Sequence, residues 1–298
     1  MSRIRIGTRG SALARWQAEH VEGRLTALGH EVSLQVITTT GDRLLDRRLE
    51  AVGGKGAFLK EIEEALLARE VDLAVHSLKD VPIGQPEGLE LCAMLERADP
   101  RDALLSSRAG LDELPHGATV GTTSLRRQAQ LRAIRPDLEI TDLRGNVDTR
   151  IRRLREGRFD AILLAMAGLL RLGRADEVSE PLDPRRVVPA PGQGTIALEC
   201  RTGDVAVREA VAPLDHPSTA RRVGAERAFL SALGGGCNVP LGAHAFEDEE
   251  GLELIGLVAR VDGAELLRGE RRGDDAHDIG VALAEDLLVR GAGSLLNP

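Results

Sequence analysis

Aromatic side chains are nearly absent from this chain: they make up 2% of its 298 residues, with no tyrosine and a single tryptophan. Without aromatic platforms for base stacking, and with a formal net charge of -8, the sequence lacks the usual means of holding nucleic acid. Nucleic acid is therefore not an expected partner. Long apolar runs are missing too. No stretch approaches the ~18 residues of a bilayer-spanning helix, and the opening MSRIRIGTRG has no apolar segment of the kind that follows the basic end of a secretory signal. The expected location is the cytoplasm, with no membrane attachment. Cysteine is scarce: Cys92, Cys200 and Cys237 are odd in number and far apart, which fits neither a disulfide framework nor the ligand spacing of a metal centre. No metal is expected. Repeats and low-complexity tracts are also missing, which excludes solenoid and disordered architectures.

What remains is the make-up of a globular protein, 42% hydrophobic and 29% charged, long enough for two or three domains with real cores. Against the acidic balance stand two arginine-bearing turns, Gly121 to Arg127 (GTTSLRR) and Leu143 to Arg150 (LRGNVDTR). Each is expected to lead from a strand into a helix. In the first, Ala118 to Val120 reads as strand and Leu125 to Ile134 as helix, with Thr123 or Ser124 at the N-cap; in the second, strand Leu138 to Leu143 leads through Asn146 into a helix ending near Arg155. Free N–H groups and the dipole at a helix N-terminus favour anions, and arginine adds a permanent charge with a planar fork of donors. Arg126, Arg127, Arg144 and Arg150 thus point to a ligand with several carboxylates or phosphates.

The first two thirds of the chain alternate between strand and helix patterns, which implies mainly parallel sheets covered by helices. Strand Ile4 to Gly7, helix Ser11 to Leu28, strand Glu31 to Thr39, helix Phe58 to Ala68 and strand Val71 to His76 form a first α/β unit. A second runs from about Asp99 to Pro189. The segments Glu96 to Asp102 and Pro189 to Gly194 read as two chain crossings between lobes, and strand Thr195 to Arg201 returns the chain to the first lobe. An interlobe cleft follows from that reading. After Pro217 come a long helix, three strand-like segments and a closing helix, the order of a small α+β domain. The expected division is 1–95 with 194–214, then 99–189, then 217–298.

Strand Val71 to His76 runs into SLKDVP, placing Lys79 and Asp80 just past the carboxyl end of a parallel strand, where open α/β sheets bind ligands. Arg9 and Ser11 follow the first strand at the equivalent edge. His76, at the end of an apolar strand, reads as a hydrogen-bonded core residue, and Cys92 and Cys200 as small buried ones. Lys55 ends a long charged, glycine-containing loop from Thr40, the composition of a lid. Cys237 follows three glycines in LGGGCNVP, which excludes regular structure and leaves its thiol on a loop. A non-catalytic two-lobed binder of small anions and a transfer enzyme using Cys237 as free nucleophile both remain open on these features alone. The second lacks a base, since His244, the nearest histidine in sequence, follows a strand start.

The segments TRGSALARWQ, VGGKGAF, AVHSLKDVP, ERADPRDA, GTTSLRRQ, LRGNVDTR, PAPGQG and GGGCNVP, in this order along nearly the whole chain, resemble the porphobilinogen deaminase family. Thr123 stands where that family often has a second serine, Asp148 where glycine is frequent, and Leu170 precedes Arg171 where a basic residue is common. The resemblance implies an α/β fold of three domains, two similar mixed-sheet lobes like those of type II periplasmic binding proteins around a cleft, plus a small α+β domain carrying the cysteine loop. It implies a monomeric transferase of tetrapyrrole biosynthesis, condensing four porphobilinogen molecules head to tail with loss of ammonia to give hydroxymethylbilane. A dipyrromethane cofactor joined by a thioether to Cys237 is the implied primer. Asp80 becomes the catalytic acid. Lys79, Asp80, Thr123, Ser124, Arg126, Arg127 and Arg150 are then expected to hold the cofactor, and Arg9, Ser11, Arg144, Arg150, Arg171 and Gln193 the substrate and growing chain, with Lys55 in the lid.

Overall fold

The computed structural model describes residues 1–40, 59–107, 110–234 and 239–296. The chain divides into two compact units, Met1–Ala98 with Gly194–Ala220, and Asp99–Gln193 with Arg221–Pro298.

The first unit is built on a five-stranded sheet. Strands β1 (Arg3–Thr8), β2 (Glu31–Val36) and β3 (Leu73–Ser77) run parallel, while β10 (Ile196–Arg201) lies antiparallel between β3 and β4 (Leu89–Met94), giving the order β2-β1-β3-β10-β4. Helix α1 (Ala12–Ala27) buries Gln17, Ala18, Val21 and Leu25 along one stripe, and the last three, with Val207, Ala210 and Val211 of α6 (Val205–Val211), pack with Ile4, Ile6, Leu73, Val75, Leu198 and Cys200. The other face is covered by α2 (Lys60–Leu67), whose Ile62, Ala65 and Leu66 meet Val71, Ala74 and Leu89. Covered on both sides, β10 is buried at every residue, Glu199 and Arg201 included.

The second unit repeats the plan. Strand β6 (Thr119–Gly121) is parallel to β7 (Glu139–Thr141) and β8 (Ala161–Ala165), and β5 (Asp102–Ser106) lies antiparallel between β8 and the two-residue β9 (Glu180–Pro181), in the order β7-β6-β8-β5-β9. Helix α3 (Leu125–Ile134) follows β6, α4 (Val147–Arg155) follows β7, and the short α5 (Met166–Arg171) follows β8. The second strand is shorter than the expected Leu138 to Leu143, because the chain leaves the sheet at Asp142 to form the turn that enters α4.

The same unit carries a separate antiparallel meander, β11 (Leu241–Asp248), β12 (Gly251–Ala259) and β13 (Leu266–Gly273), packed on α8 (Ala276–Val289) and α9 (Ala292–Leu296). Phe229 of the long helix α7 (Pro217–Ala232) fills its core, and Gly256 makes room for it: a Cβ there would meet the Phe229 ring at 2.6 Å. The β12–β13 turn sits on α3, where Gly263, at φ +75°, would put a Cβ 2.5 Å from Cβ of Arg132. Only glycine fits both the conformation and the approach.

Candidate functional site

In the first unit, β1 and β3 are neighbouring parallel strands, paired Ile6 to Leu73 and Gly7 to Ala74, so their carboxyl ends share one edge. Ser11 caps α1 there, its Oγ accepting the Ala14 N–H at 3.3 Å, while the Thr8 hydroxyl donates to the Ala14 carbonyl at 3.1 Å. Past β3, Leu78–Asp80 form one 3-10 turn pegged by buried Leu78, whose N–H donates to Thr195 O at 3.0 Å. The turn leaves Lys79 and Asp80 partly exposed beside half-buried Arg9 and Ser11. The Gln17 amide donates to Ser77 Oγ at 2.8 Å and ties the end of β3 to α1.

Directly beneath lies a pair that sequence reading leaves half seen. His76 is buried, with Nε2 2.9 Å from Glu199 Oε2 on β10, and Glu199 is 0% exposed. Its other oxygen has no hydrogen-bond partner among the described residues. Glu63 of α2 is close enough that burial and the Glu199 charge raise its carboxyl pKa. Only a lone acid inside the apolar IALEC could have flagged Glu199.

In the second unit the parallel trio again ends at one edge. Ser124 is the N-cap of α3, its Oγ accepting the Arg127 N–H at 3.5 Å, and Thr122 Oγ1 accepts the Ser124 N–H at 3.2 Å. Thr123 donates its hydroxyl to Leu143 O at 3.3 Å, joining this turn to the next. That next turn contains Gly145 at φ +110° and is capped by Asn146, whose Oδ1 accepts the Thr149 N–H at 2.9 Å. Arg150 donates from Nε to Gly145 O at 2.7 Å, and Arg144 lies 3.8 Å from Asp142. Arg171 ends α5 after β8; burial pulls its guanidinium down to about 10, still charged at neutral pH. Thr123, Ser124, Arg144 and Arg150 thus gather at the carboxyl ends of β6 and β7.

Arg126 and Arg127 stand in the first turn of α3 and point inward, each only 5% exposed. Both grip Asp102, the first residue of β5, itself 0% exposed. Arg126 reaches its carboxylate at 2.7 and 3.3 Å and donates to Val188 O at 2.7 Å; Arg127 reaches it at 2.7 and 3.1 Å and donates to Leu163 O at 2.9 Å. Burial works to raise the Asp102 pKa, but the Coulombic pull and hydrogen bonds of the two guanidiniums outweigh it and hold the carboxyl well below the usual range. Gln193 completes the cluster, its amide nitrogen 2.9 Å from Asp102 Oδ1 and 2.8 Å from Pro100 O. The next residue back, Gly192, donates its N–H to buried Glu226 at 2.7 Å, and Glu226 also accepts the Ala245 N–H at 2.9 Å. His244 lies against Glu226 and Phe246, buried in this arrangement.

Cys237 and Lys55 fall outside the described residues. Cys200 is buried and Cys92 packs beside it in the first core, its thiol 3.4 Å from Leu198 O. Among the described residues no group of three or more His, Cys, Asp or Glu could hold a metal ion, and no helix is long and apolar enough to cross a membrane.

Set beside known proteins, residues 4–209 match the family described as porphobilinogen deaminase, dipyromethane cofactor binding domain, and residues 220–289 match the porphobilinogen deaminase C-terminal domain. The chain is 53% identical over 298 residues to the porphobilinogen deaminase of Syntrophobacter fumaroxidans, covering 98% of this chain and 96% of that protein. It is 51% identical over 300 residues to that of Geobacter sulfurreducens, covering 99% and 94%. Among solved structures, a periplasmic substrate-binding protein from Coxiella burnetii matches at a TM-score of 0.44 and 16% identity over 74% of this chain and 96% of its own, a likeness too slight to bear on ligand or function.

Proposed function

Because this chain belongs to the porphobilinogen deaminase family, we propose that its two sheet edges divide the work of one polymerisation, the first unit activating each substrate and the second holding the product of earlier steps. The enzyme condenses four porphobilinogen molecules head to tail, releasing ammonia, to give hydroxymethylbilane in tetrapyrrole biosynthesis. Its dipyrromethane cofactor, when bound, supplies the free pyrrole α-carbon on which the chain grows.

Cys237 is the residue to which that cofactor is joined. Loss of ammonia from porphobilinogen leaves an electron-poor methylene, and Asp80 is the acid that stabilises this cation and takes or relays the proton lost from the attacking α-carbon once the new carbon–carbon bond has formed. Arg9, Ser11 and Lys79, at the same edge as Asp80, receive the acetate and propionate of the incoming substrate. Arg126, Arg127, Thr123 and Ser124 hold the primer, and Arg144, Arg150 and Arg171 the lengthening chain, with Lys55 in a lid. The donors present suit that ligand: capped helix N-termini and guanidinium forks are the groups that bind carboxylates. The observation that carries this reading is the placement of Arg9, Ser11, Lys79 and Asp80 together at the carboxyl ends of β1 and β3. The enzyme acts as a monomer in the cytoplasm; light scattering on the eluted protein checks the first point.

Intact-mass measurement tests the core of the proposal. The purified protein is expected to exceed its sequence mass by a two-pyrrole adduct, lost in Cys237→Ser and kept in Cys92→Ser and Cys200→Ser. Active protein with the bare chain mass would end the covalent-primer reading.

A further inference from the structure

The cluster around Asp102 is unusual in its charge. Two guanidiniums and one carboxylate, all buried, carry one net positive charge in surroundings that screen it poorly. A pair that served stability alone would be neutral, since uncompensated charge in an interior is costly. Here the excess lies at the N-terminal turn of the ten-residue α3, where the helix dipole adds to it rather than offsetting it.

The geometry is equally constrained. Asp102 Oδ1 takes bonds from Arg126, from both Nε and an η nitrogen of Arg127, and from the Gln193 amide, while Oδ2 takes the second Arg126 bond. Each guanidinium is fixed a second time by a backbone carbonyl, Val188 O or Leu163 O. Neither fork can rotate without giving up both. Gln193, in turn, is the last residue before the chain returns to the first unit, and its neighbour Gly192 is anchored on Glu226.

We propose that Asp102 is a positioning residue that fuses Arg126 and Arg127 into one receptor with a single uncompensated positive charge, completed by a carboxylate of the primer. Gln193 acts through Asp102, setting its carboxylate from the PAPGQG segment. This rests on the reading that the GTTSLRR turn holds the primer, and it adds residues that touch no ligand themselves. It differs from a purely structural ion pair in what it predicts: loading should depend on a carboxylate at position 102 and on its geometry, and not merely on the stability of the variant.

The test uses full-length protein purified as expressed, with Asp102→Asn, Asp102→Glu and Gln193→Ala. Mass spectrometry gives the fraction carrying the two-pyrrole adduct, and ion exchange separates the loaded from the bare form through the added carboxylates. Asp102→Asn is expected to lower the loaded fraction at least tenfold and Asp102→Glu to restore part of it. Loading should follow the carboxylate and not the stability: Asp102→Glu is expected to regain adduct whether or not it regains the melting temperature of the parent. Full loading of Asp102→Asn, or loading that falls only in proportion to the melting temperature across the variants, would overturn the proposal. Should Asp102→Asn not fold, Asp102→Glu and Gln193→Ala decide: the first shifts the carboxylate and the second frees it, and undiminished loading in both rejects the positioning role. Parent protein without any adduct would instead defeat the primer reading itself, so the two failures are distinct.

Discussion

The two five-stranded sheets share one plan and use it differently. In each, three parallel strands stand in the order second, first, third, and an antiparallel strand beside the third carries a fully buried carboxylate, Glu199 on β10 or Asp102 on β5. The first unit gives its carboxylate one partner, the His76 imidazole. The second gives it two guanidiniums, whose charge is permanent, so that the cluster carries a net positive charge. The difference teaches that the frame fixes where a buried carboxylate sits, while its partners decide the charge of the cluster. It agrees with Asp80 lying past β3 in the first unit and the capped arginine turns lying past β6 and β7 in the second.

The strongest way to break this contrast is to remove the fixed-charge anchor. Asp102→Asn leaves two buried guanidiniums without a counter-ion, and the expected loss of stability is about 3–5 kcal/mol, read from denaturant unfolding. Its pH dependence has a definite sign. Because the folded pKa of Asp102 is depressed, its contribution is complete above the unfolded value of about 3.9 and is lost as pH falls through the lower, folded value. The difference between parent and Asp102→Asn should therefore stay constant from neutral pH to about pH 5 and shrink only in stronger acid. A difference that shrinks near neutrality would contradict the fixed-charge description.

Next in size is Asp80→Asn, expected to lower kcat by about 100-fold with the adduct still attached, while Asp80→Glu keeps part of the activity. Near-normal turnover would take the chemistry away from the first unit. Glu199→Gln is milder because it alters a carboxylate with one side-chain partner, where Asp102→Asn alters one shared by two guanidiniums. A loss of about 1–3 kcal/mol is expected, and a loss matching that of Asp102→Asn would erase the distinction between the two carboxylates. Smallest are the caps: Ser11→Ala and Ser124→Ala should each cost about 1 kcal/mol. Since both serines cap the helix after the first parallel strand of their sheet, thermal melts of the two should shift alike.

Local signals made much of this legible in the sequence. The helix Leu125–Ile134 shows both its ends, with Ser124 to accept a free N–H and Pro136 to stop it two residues on, and the Asn146 cap announces the next helix equally well. Lys79 and Asp80 could be placed because an apolar strand ends visibly before them. Asp102 could not be read as an anchor. Its partners lie 24 and 25 residues away, and nothing local tells an arginine turned inward at a helix start from one turned to solvent. Gln193 was legible as part of a loop, but its amide is spent on Pro100 and Asp102, contacts made only once the sheet has formed. The two-residue β9 has too short a pattern to be seen at all.

The position of β10 has a consequence for biosynthesis. Strand β4 joins its sheet only through β10, and β10 is made after the whole of residues 99–193. At ordinary translation speeds the nascent chain waits roughly 5–20 s between completing β4 and completing the strand that ties β4 in. During that interval β3 presents a five-residue, largely apolar edge with no partner, the kind of surface on which neighbouring chains can pair. All five strands of the second sheet, from β5 to β9, are by then available to one another. Of the two five-stranded sheets, the one that begins first closes last, and its open edge stays exposed to misassembly until residue 201 emerges.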